Sequence, residues 1–472
     1  MEKKIIRMLR VDELAAAMKA EVRNRHDICC AGVCTDSRKV LPDDLFLALR
    51  GERFDAHDFL NDVVAAGCRA VVVERHVTLP EHVVVFEVDC VELAFGRLAK
   101  AVIEKRRSLG NFVTYGLTGS NGKTTTKELL AALLSAKGHH VLKTEGNYNN
   151  QIGLPMTALC LTQAHDVAIF EMGANAPGEI RYLSEICQPD RALITSIGAA
   201  HLGGFGSVEG VARAKGELLF SPRLKHMVLP HETRPFYEKS LPEGLHVDWV
   251  GDQALFHPEK IAATLHGVDF QYCDDVLKCV YDLHLPLLGG HNARNLSLAL
   301  TLVRDEGWTQ AEINRAIAGI RLPSGRLERW EGKGNVSLLH DAYNANPSSM
   351  HEALSLMEQL VDGTRRCFVL GDMRELGLAG EASHKMIGKR VAQIGAKCML
   401  CVGEFADAYA VGAMEAGADH ASIFCCLADE LEKGVQWLQD RLGPGDVCLI
   451  KGSRGVRLER VITLLEANRL DA

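Results

Sequence analysis

The chain has 472 residues, 47% hydrophobic and 24% charged, a balance that fits a soluble globular protein and a length that suggests about three domains. Its formal charge of −8, with no long Lys/Arg block, excludes a general nucleic-acid binder. No run approaches the roughly 18 apolar residues of a membrane span, and the charged first seven residues lead into no apolar stretch, so neither membrane insertion nor a signal peptide is expected.

Residues 45–49 read as a strand, 59–66 as a helix, and 70–73 and 83–86 as further strands. A charged helix over 91–107 ends at Ser108-Leu109-Gly110, which sets a first, small α/β domain at 1–105. An apolar strand over 111–117 then runs into Thr118-Gly119-Ser120-Asn121-Gly122-Lys123-Thr124-Thr125 and an amphipathic helix over 126–134. This is the local architecture of a phosphate cradle. Glycines let the backbone wrap close to an anion, so that successive N–H groups and the helix N-terminus face it. Lys123 is suited to the β- and γ-phosphates and the Thr124 hydroxyl to Mg²⁺. Gly116 falls one residue too early for the strict spacing, so the loop is a shortened variant. Its residues Gly119, Ser120, Asn121, Gly122, Lys123, Thr124 and Thr125 are expected to bind a nucleoside triphosphate.

Further on, a strand over 167–170 ends in Glu171, a carboxylate at a strand tip where a hard cation finds an oxygen ligand. A strand over 192–195 and a helix over 293–303 follow, and the alternation predicts a mostly parallel sheet with ligands at the carboxyl ends of its strands. Leu322-Pro323-Ser324-Gly325 marks a second boundary, giving a central domain at 106–322 and a last one at 323–472. Strands over 337–340, 367–370, 399–402 and 447–450, with a helix over 350–360, make that last segment Rossmann-like without a Gly-x-Gly-x-x-Gly fingerprint. The expected fold is therefore α/β in three domains: a small α/β domain, a central P-loop ATPase-like parallel sheet and a C-terminal Rossmann-like domain. Most of the 15 cysteines sit singly in apolar runs, as buried reduced thiols of a cytoplasmic enzyme do. An Asn-Lys-x-Asp guanine motif is absent, which disfavours a GTP-binding switch.

Thr-Gly-x-x-Gly-Lys-Thr, the strand-end Glu171-Met172-Gly173, and Ala200-His201-Leu202 with Ala214-Lys215 fourteen residues on together resemble the Mur ligase family, whose enzymes build the peptide stem of bacterial cell-wall precursors. The resemblance implies that Lys215 is carbamoylated by CO₂ and, with His201, holds a second Mg²⁺ beside the one at Thr124 and Glu171. It makes Lys123, Lys215 and His201 the catalytic set. In His291-Asn292-Ala293-Arg294-Asn295 it implies that Asn295 contacts adenine, and it makes Arg326 and Asp341 further ATP contacts.

Thr35-Asp36-Ser37-Arg38, Asp44-Leu45-Phe46 and Ala48-Leu49-Arg50-Gly51 are similar to the family's uridine-diphosphate-sugar domain, which implies substrate contacts at Asp36, Ser37 and Arg38. The Asp-Asn-Pro-Arg of members that add the third stem residue is missing. Tyr343-Asn344-Ala345-Asn346-Pro347 and Leu370-Gly371-Asp372-Met373-Arg374-Glu375-Leu376 are similar instead to members that join D-alanyl-D-alanine to UDP-N-acetylmuramoyl-tripeptide with ATP and Mg²⁺. That implies Asn346 on the dipeptide side. Asp55-Ala56-His57 departs from the usual Asp-Gly-His. Folylpolyglutamate synthase shares the chemistry but has no counterpart of the first hundred residues.

Overall fold

The computed structural model describes residues 4–51, 54–200, 202–466 and 468–469. Three sheets follow one another along the chain. The first has five strands in the spatial order Glu21–Arg23, Val84–Glu87, Ala70–Val73, Asp44–Leu47, Gly32–Cys34, parallel except for Glu21–Arg23. The central sheet has nine strands, and the C-terminal sheet seven. No helix among the described residues is long and apolar enough to cross a membrane.

In the central sheet the loop-bearing strand Val113–Thr118 lies between Val167–Glu171 and Arg191–Ile194, all parallel. The chain leaves Val113–Thr118 through the helix Lys123–Ala136 to the edge strand Val141–Lys143, returns beside it at Val167–Glu171, and then crosses to its other side. Reversal of strand order at this point opens a crevice at the carboxyl ends, where ligands of such sheets bind. Leu129, Leu130, Leu133 and Leu134 of the helix pack with Leu296, Leu298 and Leu302 of the helix His291–Leu302 over Tyr115, Leu117 and Ile169. At about 1.5–3 kcal/mol per fully buried side chain, this contact holds the loop rigidly on the sheet.

One feature departs from the sequence expectation. Beyond Phe256–Thr264 the sheet continues in two antiparallel strands, Gly267–Asp274 and Cys279–Leu285. Local turn chemistry makes these hairpins: Gly267 has φ +148°, Lys278 has φ +57°, and the Asp274 carboxylate accepts from the amides of Val276 and Leu277. The helix expected over 91–107 spans Val91–Ser108. The buried Arg106 there donates to the carbonyls of His165, Gly110 and Asn111, tying the helix end to the central domain.

In the last domain Ile423–Cys426, Cys398–Val402, Arg366–Gly371, Val447–Lys451 and Val336–Asp341 are parallel, and Glu328–Gly332 pairs antiparallel at one side. The chain's one Cys-x-x-Cys spacing, Cys398 to Cys401, lies along a strand of this sheet. Its two thiols enter different cores on opposite faces and so cannot share an ion.

Candidate active site

A cavity of about 420 Å³ opens where the central and last sheets meet. Twelve of the predicted positions, Ser120, Asn121, Gly122, Lys123, Thr124, Thr125, Glu171, Lys215, Asn295, Arg326, Asp341 and Asn346, line it. Gly119 lies just beneath, with φ +151°; a Cβ there would come within 1.9 Å of Thr195 Oγ1. Gly122, at φ +79°, faces Asn295, whose Oδ1 a Cβ would approach to 2.6 Å. Both glycines are demanded by the close path of the backbone.

Ser120 and Asn121 anchor the loop to the next strand's end: Gly198 N donates to Ser120 Oγ at 3.0 Å and Asn121 N to Ser196 Oγ at 3.0 Å. Lys123 Nζ folds back to donate to the Gly119 carbonyl at 2.7 Å and that of Ser120 at 3.3 Å. Burial holds its pKa below the usual lysine value; Glu171 works against that shift and Arg326 adds to it.

Glu171 is 2% exposed. Its Oε1 accepts from Asn149 Nδ2 at 2.9 Å and from the Thr124 hydroxyl at 3.3 Å, while its Oε2 is buried without a hydrogen bond. A buried carboxylate whose Oε1 lies beside a hydroxyl is an all-oxygen donor set, and it fits a hard divalent cation. Lys215, on the helix Val208–Gly216, is 1% exposed, and no ion pair reaches it among the described residues. Burial, and secondarily the charge of Lys123, bring its pKa down to about 7. His201 lies outside the described residues.

From the last domain, Arg326 donates to Thr124 Oγ1 at 2.9 Å and its guanidinium lies 4.2 Å from the Tyr343 ring centre. Asp341, at the carboxyl end of its strand, accepts from Lys451 Nζ at 2.5 Å and from the Leu327 amide at 3.2 Å. Asn346, expected on the dipeptide side, lines the cavity from the last domain. It caps the helix Pro347–Leu360, accepting from Ser349 N at 2.9 Å, and its amide donates to Asn121 Oδ1 at 2.9 Å on the phosphate loop.

Asp36, Ser37 and Arg38 follow the strand Gly32–Cys34 in the first sheet and do not line this cavity. The Arg38 guanidinium pairs with the Asp36 carboxylate at 2.8 and 2.9 Å and holds it down at about 2. Ser37 makes no side-chain hydrogen bond among the described residues, which leaves its hydroxyl available. Sequence reading passed over Asn149 and Lys451. Both carried a signal: Asn147-Tyr148-Asn149-Asn150-Gln151 is dense in amides, and Lys451 ends an apolar strand as Glu171 does.

Domain families match the chain in order: "Mur ligase family, catalytic domain" over residues 30–104, "Mur ligase middle domain" over 117–303, and "Mur ligase, glutamate ligase domain" over 325–454. The chain is 34% identical over 440 residues to the UDP-N-acetylmuramoyl-tripeptide–D-alanyl-D-alanine ligase of Bacillus subtilis, covering 91% of this chain and 92% of that one. It is 36% identical over 449 residues to the ligase of the same name from Escherichia coli, covering 94% and 95%. Among solved structures it is similar to MurF from Acinetobacter baumannii, with a TM-score of 0.85 at 31% identity over 96% of this chain and 98% of that one. It is also similar to MurF of Thermotoga maritima in complex with ADP, with a TM-score of 0.79 at 28% identity over 92% and 97%.

Proposed function

The chain belongs to the Mur ligase family, and from that premise we propose that it joins D-alanyl-D-alanine to UDP-N-acetylmuramoyl-tripeptide, using ATP, to give the UDP-linked pentapeptide, ADP and phosphate. A carboxylate is a poor electrophile. Its oxygen therefore attacks the γ-phosphorus of ATP, the bond to the ADP oxygen breaks, and an acyl phosphate forms. The dipeptide amine then attacks the carbonyl carbon, phosphate leaves with the bonding pair, and the amine's proton is released. No protein nucleophile is needed; positioning and charge stabilisation carry the reaction.

The observation that carries this reading is the convergence in one cavity of a glycine-rich phosphate loop, a buried carboxylate beside the Thr124 hydroxyl, and a buried lysine without an ion pair among the described residues. In this reading the loop amides and Lys123 bind and orient the phosphates, and Lys123 exchanges its two carbonyl partners for phosphate oxygens. Thr124 and Glu171 would hold Mg²⁺, whose chemistry is to offset charge on the phosphate oxygens. Arg326, already bonded to Thr124, adds a second cation from the last domain. Asn295 and Asp341 serve the nucleoside, and closure of the last domain over the site excludes water from the acyl phosphate.

Carbamoylation of Lys215 belongs to the same proposal. CO₂ adds to the neutral amine, forming an N–C bond with loss of one proton, and a buried amine near pH 7 is substantially neutral. The product is an anion suited, with His201, to a second ion. Residues 1–105 hold the uridine nucleotide through Asp36, Ser37 and Arg38; residues 106–322 hold ATP, and 323–472 complete its site and admit the dipeptide. Consumption of ATP and a nucleotide precursor makes the cytoplasm the compartment of the reaction.

The direct test is phosphate release with UDP-tripeptide and ATP, with and without D-alanyl-D-alanine, coupled to mass spectrometry of the product. Dipeptide-dependent release and a UDP-pentapeptide are expected. Release with no change in the UDP-peptide mass would refute the assignment.

A further inference from the structure

Behind Glu171, on the side away from the cavity, lies Lys127. It is fully buried at 0% exposure and is not among the lining residues, so it cannot touch a substrate. Its Nζ donates to the Thr144 carbonyl at 2.6 Å, stands 3.3 Å from Glu128 Oε1 and 3.6 Å from Glu171 Oε2. Glu128 pairs outward with the half-exposed Lys143. Glu171, Lys127, Glu128 and Lys143 thus form a chain of alternating sign running from the cavity to the surface. Thr144 closes it from the backbone side, its hydroxyl accepting from Glu171 N at 3.0 Å.

The two oxygens of Glu171 therefore have different surroundings. Oε1 faces Thr124 and Asn149 in the cavity. Oε2 has no hydrogen bond, and the cation paired with it among the described residues is Lys127. An isolated buried lysine is costly, and so is an isolated buried carboxylate. Side by side they offset one another, and the lysine fixes which oxygen points at the ligand. Groups that orient a metal ligand from behind commonly contribute about 10–100-fold to metal affinity.

We infer that Lys127 is a positioning residue for Glu171: it holds the carboxylate turned so that Oε1 faces Thr124, ready for the divalent cation that accompanies the nucleotide. The inference rests on Glu171 being a ligand of that cation, and the experiment separates the two claims. ADP affinity is measured by calorimetry with EDTA and with Mg²⁺, and the ratio gives the gain due to the metal. Glu171→Gln alone tests the ligand: it should abolish the gain, and a gain that survives it overturns the reading of Glu171 and the inference with it.

If that gain is lost in Glu171→Gln, Lys127→Met and Lys127→Gln should cut it by about 10–100-fold while leaving metal-free ADP affinity within about twofold of wild type. The Gln variant keeps a donor for the Thr144 carbonyl and guards against simple unfolding. Equal losses with and without Mg²⁺, or no loss in a folded variant, would overturn the positioning role. So would failure of both Lys127 variants to fold where Glu171→Gln folds, because the lysine would then serve the fold alone.

Discussion

Replacing Lys215 by Met should stabilise the protein near neutral pH while abolishing its activity. The amine has an ordinary value of 10.5 and sits at about 7 in the fold. Between those values the unfolded chain binds one proton more than the folded one, so this group's contribution to stability rises with pH. The sign follows: the penalty for burying the amine is fully present below about pH 7 and gone above about pH 10.5. One tenfold change in proton affinity is worth about 1.4 kcal/mol, so the ceiling is about 4 kcal/mol at pH 7, about 2 at pH 9 and a few tenths at pH 10.5.

Met has no charge to desolvate, and the gap between variant and wild type should shrink along that curve. Melting temperature against pH, in buffer stripped of CO₂, measures it. For wild type alone, bicarbonate should raise the melting temperature near neutrality, since a carbamate removes the penalised ammonium. Parallel curves for the two proteins between pH 7 and 10.5 would refute the reasoning, as would a bicarbonate effect of equal size in Lys215→Met.

Lys123→Ala should lower turnover by about 10²–10³ in a phosphate-release assay, because no other group replaces a cation aimed at the transferring phosphoryl group. Activity above a tenth of wild type would contradict the role. Asn346→Ala removes a helix cap and the bond to Asn121, so it should cost about 0.5–2 kcal/mol of stability and raise the KM for ATP more than that for the dipeptide; steady-state kinetics with each substrate varied decides it. Ser37→Ala should weaken the UDP-substrate by about 1 kcal/mol, close to fivefold in KM, and leave ATP unchanged. A change confined to the ATP constant would put the uridine site elsewhere.

How much of this was legible in the chain depends on how far apart the partners lie. The phosphate loop is contiguous, and the pattern of apolar strand, glycine turn and helix is local, so Gly119 to Thr125 could be read directly and their neighbours inferred. Glu171 was legible for a similar reason: a charged residue closing the apolar strand Val167–Glu171 must emerge at the carboxyl end, beside the loop. The alternation of strands and helices gave the α/β plan in three domains. The antiparallel edge over 267–285 escaped it because its hairpins rest on single turn residues such as Lys278 and Asp274.

Tertiary structure alone decided the contacts between distant segments. Asn346 meets Asn121 across 225 residues, Arg326 meets Thr124 across 202, and Lys451 meets Asp341 across 110. Nothing local in the sequence distinguishes Lys127 or Lys215 from a solvated lysine on a helix; burial separates them, and burial depends on what the rest of the chain packs against that face. The residue types that could do this chemistry are written in short motifs. Their charge state, orientation and partners come from folding, because desolvation and hydrogen-bond geometry exist only once the strands that carry them are side by side.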